Sequence, residues 1–381
     1  MSRTPLQDAL QAQPGNPARP LPEADYRGAT TAARFNDPQA EFSALLNGCG
    51  IYDLGFRGWI SLSGGDRVRW LNGMVTNNIR DLAAGHGVYA FLLNPQGRIL
   101  GDMVVYNQGG ALAVETDRGQ MEKIVATFDH YIIMDDVEVS DVGEKQTALG
   151  VAGPKSRAVL NAAGIEVPEL QPLQTITPQC NCDCGCVECT VVRGEDAQPE
   201  SYEIWLAPKD VYKTWQALLV AGATAVGSEA LEKQRIGAGV PLYGVDIRER
   251  DLPQETEQMR ALNFNKGCYV GQEIVERIRS RGNVHRKFTG FLVEGLATIV
   301  AGAKVISGKA GEDEKEVGEI TSVAVLDAPS DAKTIALGYI RREVGIPGRE
   351  VTIGASKAIV VQLPLESVRL GPVEGLLLHP A

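Results

Sequence analysis

Cysteines are the residues of this chain whose type and spacing first suggest chemistry. Cys268 stands alone in NKGCYVGQEIVERIRSRG, whereas five of the seven cysteines fall within ten residues, in QCNCDCGCVECT. In an extended segment, alternate residues lie about 6.6 Å apart, too far for all five thiols to share one zinc ion with Zn–S bonds of about 2.3 Å. Only Cys186 and Cys189 have CxxC spacing. The Cys180–Cys189 run therefore predicts a variable loop, with metal binding by a looped chain left open and no metal ligand assigned.

Cys268 is either a functional thiol or part of a structural loop. Lys266 and the start of a helix near Gln272 would both favour the thiolate. Gly267 and Gly271 indicate a tight turn. None of the four histidines is placed by its spacing to form a Cys–His pair, although such partners can lie far apart in sequence. We predict a functional thiol that acts in redox chemistry, cluster handling or partner exchange.

Length and charge exclude several classes of protein. A chain of 381 residues predicts two or three domains. A net charge of −11 disfavours non-specific nucleic-acid binding, which depends on neutralising phosphates. No apolar stretch reaches about 18 residues, so no membrane span is expected. The N-terminus has no apolar secretory region, which favours a cytoplasmic location with reduced thiols.

The elements that must position these residues are clearest in the first half of the chain. VYAFLLN (88–94) and RILGDMVVYN (98–107) flank a Pro-Gln-Gly turn and predict a β-hairpin. ALAVET (111–116) predicts a third strand, and a helix follows it. Asp117, with Gln120 three residues later, resembles a capping box at the start of that helix.

The two ends of the chain differ in composition and in their pattern of apolar residues. Residues 1–34 are rich in Pro, Ala and polar residues, which predicts a mobile tail. After about residue 285, short apolar runs alternate with Gly, Pro and Asp turns. This pattern predicts a small all-β domain with a barrel-like closure, because closure removes the free edges of a small antiparallel sheet.

The order of motifs resembles a known family. KGCYVGQE is similar to the signature of the YgfZ family of folate-binding proteins, which includes mitochondrial iron–sulfur assembly factors. That family resembles in fold the glycine-cleavage T-protein, a tetrahydrofolate-dependent aminomethyltransferase. GIYDLGFRGWISLSGG, GHGVYAFLLNPQGRILGDMVVY, QRIGAGVPLYGVDI and LPQE follow the shared plan in order, and GYIRREVGIPGREVTIG resembles its C-terminal barrel. The resemblance covers roughly residues 35–370.

The resemblance implies an α+β fold, a three-domain aminomethyltransferase-like folate-binding fold with a C-terminal β-barrel. It implies this division of the chain: a disordered tail at 1–34, a discontinuous folate-binding first domain at 35–55 plus 150–250, an inserted α+β second domain at 56–149, a signature loop and linker at 251–284, and the barrel at 285–375.

The same resemblance implies a tetrahydrofolate site. Asp102 matches an aspartate close to the folate nitrogen where the one-carbon unit is made, and a carboxylate there could orient an amine and stabilise positive charge. Glu203, in SYEIW, matches a glutamate that hydrogen-bonds the pterin, since a carboxylate accepts two donors. Either residue could instead lie on an exposed strand face.

Three more residues are assigned to the folate site. Arg235, in LEKQRIGAG, matches an arginine of a helix that faces folate, unless it lies on a solvated helix face. Tyr243, in PLYGVDI, is also expected to shape the domain junction, and Lys266 belongs to the signature. Asp102 and Cys268 are the predicted catalytic residues.

The chain departs from the T-protein at one clear place. VETDR puts Glu115 and Thr116 where the T-protein usually has an asparagine, which favours the YgfZ branch. We therefore expect a tetrahydrofolate-binding protein that supports iron–sulfur cluster assembly or repair, with an indirect effect on tRNA modification. Its expected partners are folate and iron–sulfur enzymes or assembly proteins. We expect no membrane association and no direct nucleic-acid binding. The alternatives are a tetrahydrofolate-dependent aminomethyltransferase or methyltransferase, and a redox or metal-binding accessory.

Overall fold

The computed structural model describes residues 1–12, 22–178, 187–195, 200–282, 284–295, 298–309, 312–326 and 333–365. The helices in these ranges are α1 (Pro5–Gln11), α2 (Pro38–Asn47), α3 (Arg67–Met74), α4 (Arg118–Tyr131), α5 (Ser156–Ala162), α6 (Val211–Val220), α7 (Ser228–Ala238) and α8 (Gln272–Arg281). The strands are β1 (Glu23–Tyr26), β2 (Ala29–Ala32), β3 (Gly50–Asp53), β4 (Arg57–Ser63), β5 (Gly87–Leu93), β6 (Ile99–Asn107), β7 (Leu112–Asp117), β8 (Glu138–Asp141), β9 (Thr147–Ala152), β10 (Thr175–Ile176), β11 (Cys189–Arg193), β12 (Ser201–Leu206), β13 (Thr224–Val226), β14 (Arg286–Val293), β15 (Lys304–Lys309), β16 (Glu312–Leu326), β17 (Lys333–Arg341), β18 (Glu350–Ile353) and β19 (Ser356–Val361).

A five-stranded sheet with the order β5-β6-β7-β4-β8 contains the predicted hairpin. β5 and β6 pair antiparallel, with Val88 opposite Val105, so the hairpin and the third strand are confirmed. Successive side chains of a strand point to opposite faces. Val105 and Val114 pack with Ile124 of α4 on one face, which leaves the alternate positions for the other face.

A six-stranded sheet with the order β10-β11-β12-β9-β3-β13 lies against that other face. Within β12, Tyr202 and Ile204 join a core with α1, α5 and α6. Trp205, on the opposite face, packs edge-on against Trp59 and Tyr106 of the five-stranded sheet. The alternation in β12 therefore turns Glu203 and Trp205 towards the five-stranded sheet.

The N-terminal segment is not a mobile tail in the described ranges, and that prediction is wrong there. Leu6 and Leu10 of α1 are at most 1% exposed and belong to the core under the six-stranded sheet. Thr4 caps α1, and its hydroxyl and that of Thr31 donate to the buried carboxylate of Asp53 in β3. Composition misled the prediction because a seven-residue helix needs only two buried leucines to dock.

The C-terminal strands form a closed barrel with the order β14-β17-β16-β15-β18-β19, which confirms the predicted all-β barrel. Hydrogen bonding of β14 to both β17 and β19 closes the ring and removes free strand edges. Phe291, Ile320 and Ile340 fill its interior. No helix within the described ranges is long and apolar enough to cross a membrane.

Candidate functional site at the interface of two sheets

Strand alternation gathers charged side chains where the two large sheets meet. On the five-stranded sheet, Arg57, Glu115 and Asp117 lie on the face turned to the six-stranded sheet, and Asp102 follows the same alternation in β6. From the opposite sheet, Glu203 joins them. We call these five residues the carboxylate cluster.

Asp102 is held rigidly at the edge of this cluster. Its half-buried carboxylate accepts hydrogen bonds from the Tyr89 hydroxyl and from the Gln120 side-chain amide, each at 2.8 Å. Its backbone N–H donates to the Gln120 carbonyl oxygen at 3.0 Å, and its backbone oxygen accepts from Thr116. Burial, with the nearby Asp117, raises the pKa of Asp102. The structure therefore provides a fixed carboxylate of unusual basicity.

Arg57 joins the two carboxylates of β7. Its Nε donates to Glu115 at 2.8 Å and its Nη1 to Asp117 at 2.5 Å, while 17% of the Arg57 side chain is exposed. Across the antiparallel pair, Arg57 stands opposite Asp117 in register. Arg27, from the turn between β1 and β2, approaches Asp117 at 3.8 Å. These two guanidinium groups balance only part of the cluster's negative charge.

Glu203 completes the cluster from the six-stranded sheet. Its Oε2 accepts from the Trp205 indole at 2.8 Å, and its carboxyl group lies near that of Glu115. Burial and the neighbouring Glu115 raise the pKa of Glu203 from its ordinary value to about 8, although Arg57 opposes the shift. The alternative that Asp102 and Glu203 lie on an exposed strand face is therefore wrong for both residues.

The predicted capping box at the start of α4 is wrong. Asp117 occupies the N-cap position but makes no side-chain cap hydrogen bond. Its carboxylate binds Arg57 instead, and Gln120 reaches Asp102. The spacing that mimics a capping box therefore supplies Asp117 to the carboxylate cluster and Gln120 as a hydrogen-bond partner of Asp102.

Arg260 and Tyr89 lie beside the cluster. The Arg260 guanidinium stands 4.7 Å above the Tyr89 ring and forms an ion pair with Glu195. Asn77 fixes both backbones, because its amide donates to the carbonyls of Tyr89 and Arg260 at 2.8 Å. The segment around Arg260 thus contacts the strand that carries the Asp102 partner Tyr89.

Arg235 does not present donors to a ligand, contrary to the expectation. Its side chain is 4% exposed, and its five N–H groups donate to Glu232, Asp246, Ser322 and the Val240 carbonyl. Asp246 in turn accepts from Thr321 and Ser322 of β16. We call Arg235, Glu232, Asp246 and Ser322 the arginine junction, since it ties α7 to the barrel.

Tyr243 lies close to Asp102 but is fully engaged. Its hydroxyl donates to the Leu100 carbonyl at 2.6 Å and accepts from Lys123 of α4 at 2.7 Å. It therefore anchors the segment after α7 to β6, two residues before Asp102. Tyr243 is expected to shape the domain junction, and its contacts join the segment after α7 to β6 and α4.

Lys266 does not activate Cys268. Its ammonium group is buried and donates to the backbone carbonyls of Asn72, Val75 and Asn77, each at 2.6 Å. Burial lowers the pKa of Lys266 to about 7, while three carbonyl acceptors at the end of α3 favour the charged form. The expectation that Lys266 binds cofactor or favours a thiolate has no support in these contacts.

The rest of the signature segment, residues 265–282, packs against the β5–β6 hairpin. Tyr269 and Val275 are buried in a core with Phe91 of β5. Gly271 has φ of +82°, and a Cβ there would lie 2.5 Å from the Asn94 carbonyl of the hairpin turn. Cys268 is exposed. The signature thus clamps the hairpin that carries Asp102, and the thiol points away from that packing.

The cysteine run falls largely outside the described residues. Cys180, Cys182, Cys184 and Cys186 are not among them, and Cys189 is buried in β11. In the described part of the chain, no group of three or more His, Cys, Asp or Glu side chains could hold a metal ion.

Sequence reasoning missed Arg57, Tyr89, Gln120 and Arg27 as members or neighbours of the site. Arg57 lies 58 residues from Glu115 in sequence, and only the strand register brings them together. Gln120 carried a signal, but the signal indicated a helix cap. The departure at Glu115 did mark a residue of the cluster.

Comparisons with known proteins agree with this architecture. The family model of the GCVT N-terminal domain matches residues 21–266. This match spans more than half of the chain, so the chain belongs to that family. Its fold is similar to the crystal structure of glycine cleavage system aminomethyltransferase T from Bartonella henselae, with a TM-score of 0.81 and 20% identity, over 95% of this chain and 96% of that one. The expected aminomethyltransferase-like fold is confirmed.

Similar curated proteins carry related names. An aminomethyltransferase of Rubrobacter xylanophilus is 28% identical over 92% of each chain. One from Rippkaea orientalis is 27% identical over 95% of this chain and 96% of its own length. A putative chloroplastic transferase of Arabidopsis thaliana is 27% identical over 87% of this chain and 74% of that protein.

These names correct the main functional expectation. The prediction of iron–sulfur cluster assembly or repair, with its iron–sulfur partners and its effect on tRNA modification, is wrong, because full-length relatives are named aminomethyltransferases. The prediction gave too much weight to the signature segment and to Glu115. The first packs against a hairpin, and the second is accommodated by Arg57.

Proposed function

We propose that this protein is a tetrahydrofolate-dependent aminomethyltransferase of the glycine-cleavage T-protein type. The observation that carries the proposal is the Asp102 carboxylate, fixed by Tyr89 and Gln120 beside a cluster with excess negative charge. Preorganised charge of this kind stabilises positive charge that develops in a transition state. The family membership and the names of the relatives support the same reaction class.

The hydrogen-bond acceptors of the cluster fit a reduced folate. Four carboxyl groups face two guanidinium groups, so the site favours a ligand edge rich in N–H donors. When bound, tetrahydrofolate supplies the ring nitrogens that accept the one-carbon unit. Glu203 is the residue to accept N–H donors from the ring edge, and Asp102 the residue to orient the amine and its positive charge.

Water exclusion follows from the surrounding side chains. Trp59 and Trp205, at most 3% exposed, pack beside Glu115 and Glu203 between the two sheets. In such a low-dielectric setting each charge of the cluster acts more strongly than it would in water. The rigid sheet positions also keep Asp102 in place without reorganisation during the reaction.

We propose membership of the YgfZ branch only as a statement of descent, and it carries no function here. KGCYVGQE supports it, and the contacts of Lys266, Tyr269 and Gly271 give the motif a structural reason that is independent of any cluster chemistry. The reaction class does not depend on this branch.

Asp102→Asn tests the proposed function. Asparagine keeps the size of the side chain, and the Tyr89 hydroxyl can accept as well as donate. We expect tetrahydrofolate binding, measured by calorimetry, to change by less than about threefold. Transfer from an aminomethyl donor to tetrahydrofolate, measured as ammonia release, should slow by about 10²–10³-fold, because the developing positive charge loses its carboxylate.

Two results would contradict this proposal. Purified wild-type protein that does not bind tetrahydrofolate would refute the folate site. An Asp102→Asn variant that binds folate and transfers at the wild-type rate would remove Asp102 from catalysis. Glu122→Gln, an exposed change on α4, is the matched control and should leave both measurements unchanged.

A further inference from the structure

Arg27 occupies an unfavourable backbone position in the turn between β1 and β2. The two central residues of this turn are Arg27, with φ of +50°, and Gly28, with φ of +98°. Such turns favour asparagine followed by glycine, and a bulky side chain at positive φ is uncommon. Non-glycine residues held in this conformation cost free energy and cluster at ligand-binding sites. The position of Arg27 therefore calls for a reason that its side chain must supply.

The turn is fixed against the start of α4. The Gly119 N–H donates to the Arg27 carbonyl at 3.3 Å, and a Cβ on Gly28 would lie 2.2 Å from the Gly119 nitrogen. From this position the Arg27 side chain reaches Asp117 of the carboxylate cluster, with Nη1 at 3.8 Å from the carboxylate. The backbone thus aims the guanidinium at the edge of the cluster.

Two aromatic rings hold the Arg27 guanidinium in place. Its central carbon lies 5.0 Å from the centroid of the Tyr26 ring and 5.4 Å from that of Phe56. Both rings belong to the packing between the two sheets, which also includes Trp205, the residue whose indole binds Glu203. Arg27 and Glu203 therefore border the same core region from opposite sides.

The Arg27 guanidinium has hydrogen-bond donors that the protein does not use. Its side chain is 19% exposed, and its Nε is buried without an acceptor. The contact with Asp117 is longer than a hydrogen bond, and that carboxylate already accepts from Arg57 at 2.5 Å. No hydrogen bond joins the guanidinium to another residue in the described part of the chain. Buried polar groups without a partner are rare and require an explanation.

Charge balance and ring packing do not use these donors. Arg57 balances the same carboxylate through direct hydrogen bonds from Nε to Glu115 and from Nη1 to Asp117. A cation over an aromatic ring is attracted by the face of the ring and forms no N–H···O bond with it. The N–H groups of Arg27 are therefore left for an acceptor that a ligand brings.

The acceptor that suits Arg27 is a neutral oxygen atom. A ligand carboxylate would meet the Asp117 carboxylate, which already lies 3.8 Å from Nη1, and like charges held close repel. A carbonyl oxygen accepts N–H donors without adding negative charge. In tetrahydrofolate, the ring edge with two N–H donors continues into a carbonyl oxygen. One edge of the ring thus presents donors to Glu203 and an acceptor to Arg27.

We propose that Arg27 binds the ring carbonyl oxygen of tetrahydrofolate and so selects this ring over one with an amino group in place of the oxygen. The inference rests on the proposed function, since it takes the reduced folate ring to bind beside Glu203. An amino group at that place is a donor, so it leaves the Arg27 N–H groups unpaired. Because the turn and the two rings hold the guanidinium beforehand, little order is lost when the ligand binds.

Calorimetry with two ligands and two proteins tests this selection. The ligands are tetrahydrofolate and tetrahydroaminopterin, its counterpart with the amino group, both kept reduced. Arg27→Met keeps an unbranched apolar stem and removes the donors. We expect wild type to prefer tetrahydrofolate, and Arg27→Met to lose at least about tenfold of that preference through weaker binding of tetrahydrofolate. Arg34→Met, which removes an exposed ion pair with Glu229, is the matched control and should keep the wild-type preference.

The possible failures of this experiment can be told apart. Equal affinity of wild type and Arg27→Met for tetrahydrofolate would refute the contact with the carbonyl oxygen. Equal weakening of both ligands would show that Arg27 only balances charge or supports the cluster, and would also overturn the proposal. In both cases wild type still binds tetrahydrofolate, so the proposed function stands. If wild type does not bind tetrahydrofolate, the proposed function fails and the role of Arg27 fails with it.

An infrared measurement on wild type covers the case in which Arg27→Met does not fold. Tetrahydrofolate with an isotope label at the ring carbonyl gives a C=O stretch that can be separated from those of the protein. On binding, this stretch should move below its frequency in water, because a hydrogen bond from a guanidinium is stronger than one from water. A bound stretch at or above the frequency in water would overturn the proposal.

Discussion

Two arginines of this protein, Arg235 and Arg57, each hold two carboxylates, yet their surroundings differ. In the arginine junction, every N–H of Arg235 has an acceptor. Burial raises the pKa of Glu232 there, but the hydrogen bond from Arg235 outweighs burial and leaves that pKa below its ordinary value. In the carboxylate cluster, burial leaves the pKa values of Asp102 and Glu203 raised despite Arg57. The first site is fully hydrogen-bonded, whereas in the second four carboxyl groups outnumber two guanidinium groups.

The difference separates a structural tie from a binding site. Fully hydrogen-bonded charges hold elements together and leave no free capacity for a ligand. Carboxyl groups with raised pKa values, in a site between two sheets, are typical of functional sites. The resemblance assigned both Arg235 and Glu203 to the folate site, but only Glu203 lies in the carboxylate cluster.

Asp246→Ala should have the largest effect, because it breaks the arginine junction. It leaves Arg235 buried without its 2.6 Å partner and removes an acceptor from Thr321 and Ser322. We expect the free energy of unfolding in urea to fall by about 3–5 kcal/mol. Glu229→Ala on α7, the helix that carries Arg235, removes an exposed ion pair with Arg34 and should cost less than about 1 kcal/mol. Equal losses in the two variants would show that the junction is not a tie.

Gly28→Ala should have the next largest effect, because the turn at Gly28 carries Arg27 to the carboxylate cluster. Gly28 has φ of +98°, and a Cβ there would lie 2.2 Å from the Gly119 backbone nitrogen of α4. Gly222→Ala is a matched control with φ of +101° and open space around it. We expect Gly28→Ala to lower the free energy of unfolding by about 2–3 kcal/mol more than Gly222→Ala. No difference between the two would mean that the turn does not need its close approach to α4.

Glu203→Gln tests the carboxylate cluster through the pH dependence of the free energy of unfolding. Because the pKa of Glu203 is raised by folding, the folded state binds more protons than the unfolded state between the ordinary pKa and about 8. Wild-type stability from this group therefore falls as pH rises through that range. We expect Glu203→Gln to gain about 1–2 kcal/mol relative to wild type between pH 5 and pH 9, measured by urea unfolding. A constant difference across this range would contradict the raised pKa.

Local patterns predicted the scaffold because they depend on neighbouring residues. The hairpin of β5 and β6 and the strands of the barrel follow from apolar alternation and turn residues. Asp102 and Glu203 came from the resemblance, and the structure brings both to one cluster. These parts of the fold and site needed no knowledge of long-range contacts.

Long-range partners could not be predicted in this way. Arg57 meets Asp117 only through the register of β4 and β7. Lys266 is two residues from Cys268 in sequence, but its long side chain reaches the end of α3. Sequence proximity suggested that the Lys266 ammonium group lies beside the Cys268 thiol, but its hydrogen bonds go to backbone carbonyls at and after the end of α3.

Cys268→Ala should have the smallest effect, because Cys268 belongs to neither arginine site. The residue is exposed, while Lys266 and Tyr269 on either side of it carry the packing of the signature segment. We expect the free energy of unfolding to change by less than about 0.5 kcal/mol and the rate of aminomethyl transfer to stay at the wild-type value. Lys266→Met, which removes three hydrogen bonds to backbone carbonyls at and after the end of α3, should destabilise the protein and serves as the positive control in the same motif. A loss of transfer in Cys268→Ala with unchanged stability would restore the predicted functional thiol, since only a chemical role of the sulfur would separate the two measurements.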